Sequence, residues 1–160
     1  MTISRSRAVV LLPALALAAC IGRTDLQSEA LARQFCAAVL KGDESAAVAL
    51  MTPDLQLQVA EMRKLDADWR ARNPDQKPPL GDGLRLTAWQ DAPGSCTPGQ
   101  PGRYRIELTY TPASAPADRW RDTLILVRVA GDLKVADIAF DPQTGGSLRG
   151  WVNEVLWTPG

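Results

Sequence analysis

The period of the apolar residues changes once along this chain, and that change limits the fold more than any other feature. Before residue 73 the apolar positions recur every three or four residues. Leu31, Phe35 and Ala38 form one stripe with Val39 beside it, and Leu55, Val59, Met62, Leu65 and Trp69 form another. Such spacing gathers side chains on one face of a helix. After Gly83 the period falls to two. Leu84, Leu86 and Ala88 alternate with Arg85, Thr87 and Trp89. Tyr104, Ile106, Leu108 and Tyr110 alternate with Arg105, Glu107 and Thr109. Alternation marks strands with one covered face and one wet face. Helices gathered first and strands gathered afterwards specify an α+β domain, with N-terminal helices packed on an antiparallel sheet.

The element boundaries follow from punctuation residues. Thr24 and Gln27 have capping-box spacing, which starts the first helix there. Gly42 stops it, and Asp43 caps a short helix over 44–51. Thr52-Pro53 supplies an N-cap and a first helical position for the third helix, which Asn73-Pro74 ends. Phe35 and Trp69, on the stripes of their helices, are expected under the sheet. The first strand is expected over 84–89, followed by a Pro- and Gly-rich loop over 93–102. A second strand runs over 104–110. The third, 120–129, is apolar on both faces at 124–127 and is therefore central. Ala130-Gly131-Asp132 turns into a strand over 133–140, and Ser147 caps a final short helix through 156.

The N-terminal segment carries a different signal. Arg5 and Arg7 precede 12 apolar residues, 8–19, which close on Leu17-Ala18-Ala19-Cys20. A bilayer span needs about 20 such residues, so this run has the length of a signal segment. A core helix or a plain secretory signal are the alternative readings. The basic start, apolar middle and final Leu-Ala-Ala-Cys resemble a bacterial lipoprotein signal with its lipobox. The resemblance implies cleavage before Cys20 and lipidation of Cys20, with enough acyl chain for durable attachment. Ile21, where Asp would favour inner-membrane retention, is similar to the outer-membrane case. The expected organisation is a signal peptide at 1–19, a lipidated tether at 20–26, one domain at 27–157 and a tail at 158–160. The expected location is the periplasmic face of the outer membrane.

Composition removes several functions. The net charge is zero and no basic patch or charge run exists, so nucleic acid is not an expected partner. Histidine is absent, which excludes Ser-His-Asp and Cys-His nucleophile systems and histidine metal sites. Three scattered cysteines do not make a zinc site, and no Gly-rich phosphate loop is present. No metal and no cofactor is expected. Once lipidation uses Cys20, an oxidising periplasm favours a disulfide between Cys36 and Cys96. The alternative is a buried apolar Cys36 and a free loop thiol at Cys96.

Residues 35–43, Phe-Cys-Ala-Ala-Val-Leu-Lys-Gly-Asp, resemble the first helix and Gly-Asp turn of the nuclear-transport-factor-2-like superfamily. Residues 133–138 with Ser147-Leu148-Arg149 are similar to the closing strand and final helix of its secreted bacterial members. The resemblance implies a cone in which a curved sheet wraps a long helix. Isomerases and dehydratases of that superfamily work inside the cone with an Asp base, or an Asp–His pair, and Tyr hydroxyls. The His-dependent version cannot be carried over. Tyr104 and Tyr110 point inward by alternation, and Asp66, Asp68, Asp122 and Asp137 are the carboxylates on helices or strands. The bland reading makes the tyrosines core and the carboxylates surface partners of arginine. Trp89, Trp151, Tyr104 and Tyr110 are the candidate contacts for a ligand or partner, with Trp157 six residues beyond Trp151. The expectation is a non-catalytic envelope lipoprotein that binds a protein partner or a small apolar ligand. The competing class is an isomerase or dehydratase using an Asp and a Tyr inside the cone.

Overall fold

The computed structural model describes residues 14–78, 81, 83–88 and 93–157, with side chains from residue 24 onward except that of residue 93. Three helices precede a four-stranded antiparallel sheet, and a short helix closes the chain. The helices are α1 (Ala14–Leu40), α2 (Glu44–Ala49), α3 (Pro53–Arg72) and α4 (Leu148–Trp157). The strands are β1 (Pro93–Gly102), β2 (Arg105–Pro112), β3 (Trp120–Val129) and β4 (Asp132–Ala139), in the spatial order β1-β2-β3-β4. The sheet is a simple open meander.

α1 buries Ser28, Leu31, Ala32, Phe35, Cys36 and Ala38, a stripe at helical spacing that faces the sheet. The helix does not begin at Thr24. Its backbone is already helical from Ala14 and continues through 20–26, the segment expected as a tether. Its C-terminus closes as the sequence specifies. Gly42 adopts φ +66°, its N–H donates to Val39 O, and the Asp43 N–H donates to Ala38 O at 2.9 Å. These are the two bonds of a Schellman end. The Asp43 carboxylate then accepts the Ala46 N–H at 2.9 Å and caps α2. Pro53 opens α3 after Thr52.

α3 buries Leu55, Val59, Met62 and Asp66. The spacing of four, three, four keeps one face inward, so Leu65 is 40% exposed and Trp69 only half-buried. The sequence expectation that Trp69 lies under the sheet is corrected here. The stripe rotates onto Asp66, whose carboxylate is held by Arg70 Nε at 2.7 Å.

The largest correction concerns the first strand. Residues 84–88 pair with no strand; Leu84 and Leu86 lie half-buried against the core and Ala88 is buried. The strand is instead the expected Pro- and Gly-rich loop. β1 pairs with β2 from Pro93–Pro112 to Gly102–Arg105, with irregularities at Pro93/Ser95 and Pro98/Pro101. Proline is tolerated there because β1 is an edge, where one row of N–H groups has no strand to meet. β3 has β2 and β4 as neighbours, so its expected central position holds. Ala130 (φ 52°) and Gly131 (φ 97°) make the two-residue turn into β4.

The inner sheet face carries Ile106, Leu108 and Tyr110 on β2, Leu124 and Leu126 on β3, and Val135 and Ile138 on β4. All are at most 1% exposed, because they share one core with apolar side chains of all four helices. The outer edge of β4 is also occupied. Val135 donates its N–H to Leu50 O at 3.0 Å and accepts from Thr52 N–H at 2.9 Å, and Phe140 N–H donates to Gly146 O. Arg149 fastens the closing helix: its guanidinium donates to Ala136 O at 2.8 Å and to Asp54 Oδ2 at 2.9 Å. The Ser147 hydroxyl accepts the Gly150 N–H, the expected cap of α4.

Candidate functional site

The alternation of β2 and β3 sets one unusual cluster. Leu108 stands opposite Asp122 and Tyr110 opposite Trp120, so Asp122 and Tyr110 are diagonal neighbours on the inner face. Asp122 is fully buried. Its Oδ2 accepts the Ala88 N–H at 2.8 Å and its Oδ1 accepts the Asp141 N–H at 2.9 Å. One carboxylate thus ties the chain before β1 to the chain after β4. Asp141 continues the network, accepting the Arg121 N–H at 2.7 Å and the Gln143 N–H at 2.9 Å.

Burial pushes the Asp122 carboxyl up to about 6, against the two backbone donors that favour its ionised form. The neighbouring Asp141 adds to the rise, and Arg85 opposes it. Arg85 stacks its guanidinium on Phe140, 4.6 Å from the ring centre. Burial also raises the Tyr110 hydroxyl well above its ordinary range, and the Asp122 charge adds to that. The Tyr110 hydroxyl has no hydrogen-bond partner among the described residues.

This cluster has the residue types of a carboxylate–tyrosine site but not its geometry. Both Asp122 oxygens are engaged by main-chain N–H groups, and the tyrosine hydroxyl donates to neither. The arrangement can hold two loops together. A carboxylate acting as a general base must instead reach a substrate proton.

An open groove of about 580 Å³ lies at the same end of the sheet, lined by Glu107, Arg119, Arg121, Thr123, Phe140 and Gln143, among others. Its size falls in the range of ligand sites, but it is open where those are enclosed. Arg121 and Glu107 approach within 3.9 Å across it. The polar alternation of β2 and β3 foreshadowed a wet outer face, but the groove residues were not among the expected contacts.

The expected contact residues are not brought together. Tyr110 is core. Tyr104 does not share its inward face: it sits in the β1–β2 turn at φ 60°, 37% exposed. The left-handed turn residue breaks the alternation that the sequence suggested. Tyr110 lies six residues further along the chain, within β2. Trp151 packs half-buried on the core and Trp157 is 82% exposed. Trp89 lies outside the described residues, as does the side chain of Cys20. Asp137 accepts the Arg149 N–H at 2.9 Å and serves α4. Asp68 pairs with Lys64 on the surface.

Cys36 and Cys96 do come together, at disulfide distance with Cα atoms 5.4 Å apart. They join α1 to β1, and 5.4 Å lies within the range a disulfide spans. Among the described residues no helix is long and apolar enough to cross a membrane, and no three His, Cys, Asp or Glu side chains group as metal ligands. No protein-family model, no curated protein and no solved structure matches the chain.

Proposed function

We propose that this chain is a lipoprotein held on the periplasmic face of the outer membrane through Cys20, and that its domain works by binding rather than catalysis. The basic residues, the 12-residue apolar run and Leu17-Ala18-Ala19-Cys20 support the anchor. The observation that carries the binding reading is the occupancy of Asp122. Its two oxygens accept the Ala88 and Asp141 N–H groups, and apolar side chains fill the inner sheet face around it. The residues that an isomerase-type site would use are thereby committed to structure. Exposed features remain for a partner or a small ligand: the open groove on the outer sheet face and Trp157 at the end of α4. The order of three helices, meander and closing helix supports the likeness to the nuclear-transport-factor-2-like superfamily.

The anchor is tested by Cys20→Ser in a host with lipoprotein maturation. The variant should leave the membrane fraction and retain its signal segment. If it still sediments with outer membrane at the mature mass, the lipoprotein reading fails.

A further inference from the structure

We infer that the sheet end carrying the β1–β2 and β3–β4 turns rests on the anionic phospholipid surface in which Cys20 is anchored. This rests on the lipoprotein reading above and adds to it an orientation and a membrane-contact surface.

The geometry begins with α1. Arg128, at the end of β3, donates from Nη2 to Thr24 Oγ1 at 3.1 Å and to Gln27 Oε1 at 2.9 Å. Its Nη1 donates to Gly131 O in the β3–β4 turn at 2.8 Å. The turn is therefore pinned to the helix at residues 24–27. Cys20 is four residues earlier on the same continuous helix, about 6 Å along its axis. The headgroup region of a leaflet is roughly 5–7 Å deep. A lipid attached at Cys20 thus brings this end of the sheet to the headgroups with no long tether between them.

The side chains at that end suit such a surface. The β1–β2 turn lies beside the β3–β4 turn, because Leu126 N–H donates to Tyr104 O at 2.8 Å. Tyr104, Val127 and Leu26 are 37%, 38% and 70% exposed. Arg103 and Arg105 are exposed beside them, and among the described residues neither has an ion-pair partner. Among the described residues three arginines, 103, 105 and 128, stand here against two carboxylates, Asp25 and Asp132. Exposed apolar and aromatic groups interleaved with arginine are the composition of a membrane-surface contact. Arginines within a Debye length of an anionic leaflet are drawn to it.

The test uses the full lipidated protein, its Cys20 acylation verified by mass, reconstituted in vesicles. Backbone hydrogen exchange over 102–105 and 127–132 is followed in phosphatidylcholine vesicles and in vesicles with about one-third phosphatidylglycerol. Exchange at both turns should slow at least fivefold in the anionic vesicles relative to the neutral ones. Arg103→Glu and Tyr104→Gly should each remove most of that difference. The glycine suits the left-handed φ of position 104, and an unchanged near-ultraviolet spectrum verifies the fold. Equal exchange in both vesicles, or protection that survives both substitutions, overturns the surface contact while leaving the anchor intact. An unacylated Cys20 overturns the anchor, and this inference with it.

Discussion

Asp122 gives the sharpest quantitative expectation. Its carboxyl is lifted from the ordinary 3.8 to about 6 by burial. The folded chain therefore holds this proton more tightly than the unfolded chain does. Between pH 3.8 and about 6 the native state binds more protons, so stability rises as pH falls and is lost as pH rises through about 6. A difference of about two pKa units is worth about 3 kcal/mol in full. Integrated from about pH 7 to about pH 4.5, it contributes about 2 kcal/mol of added stability. Asp122→Asn removes the titration. The amide can still accept one of the two N–H groups, from Ala88 or Asp141, but turns a donor toward the other. That mismatch costs about 1–3 kcal/mol and does not change with pH. Asp54 does not confuse the result. The Thr52 hydroxyl and then Arg149 hold its carboxyl below the ordinary value, so its contribution is lost only at more acid pH. Urea melts of both proteins at the two pH values give the comparison. Wild type should gain about 2 kcal/mol more on acidification than Asp122→Asn. A double difference below about 0.5 kcal/mol would refute the argument that burial governs this carboxyl.

Two further outcomes follow from packing and cross-linking. Phe35→Ala should cost about 3–5 kcal/mol in urea melts, because the ring is fully buried; Trp69→Ala should cost about 1–2 kcal/mol, because the ring is only half covered. Equal losses at the two sites would contradict the rotation of α3 onto Asp66. Non-reducing peptide mapping of periplasmically expressed protein should recover a Cys36–Cys96 peptide. Across 60 residues of chain, removing that link with the paired Ser substitutions should cost about 4 kcal/mol on the chain-entropy estimate. Both thiols free to alkylate in the native protein would rule the link out.

The start of α1 was misread, since its backbone is helical from Ala14 and not from Thr24, but the helix ends from Leu40 to Asn73 were legible because they are written in local chemistry. Gly42 at positive φ, the Asp43 cap and Pro53 at the first turn each act within a few residues, so the sequence alone places them. β3 and β4 were legible for the same reason, with Ala130-Gly131 between two alternating runs. β1 was not. Pro93, Gly94, Pro98, Gly99, Pro101 and Gly102 have the composition of a loop, and only pairing with β2 and the link to Cys36 make it a strand. Residues 84–88 show the reverse error. Their alternation is real, but Leu84 and Leu86 contact the core from a segment that no strand accepts. The periodicity of α3 misled at one position, since Leu65 and Asp66 compete for the same turn and hydrophobicity favours the wrong one. Asp122 was legible as a strand carboxylate. Its role was not, because the donors that hold it come from 34 residues earlier and 19 residues later. Tyr104 lost its face to a turn whose left-handed residue is not a glycine.

The unusual composition of β1 has a consequence for how this protein behaves when crowded. A four-stranded open sheet has two rims, and a bare rim is a template for the strand of a neighbouring molecule. The β4 rim is taken by the chain's own Leu50–Thr52 stretch and by the Gly146 carbonyl. Along the β1 rim Pro93, Pro98 and Pro101 carry no N–H, and its irregular register with β2 interrupts the straight ladder that an incoming strand would need. A run of valines and threonines at the same place would pair more firmly with β2 and also with the edge strand of a second copy. The prolines weaken the sheet at its margin and make that rim a poorer template for an incoming strand.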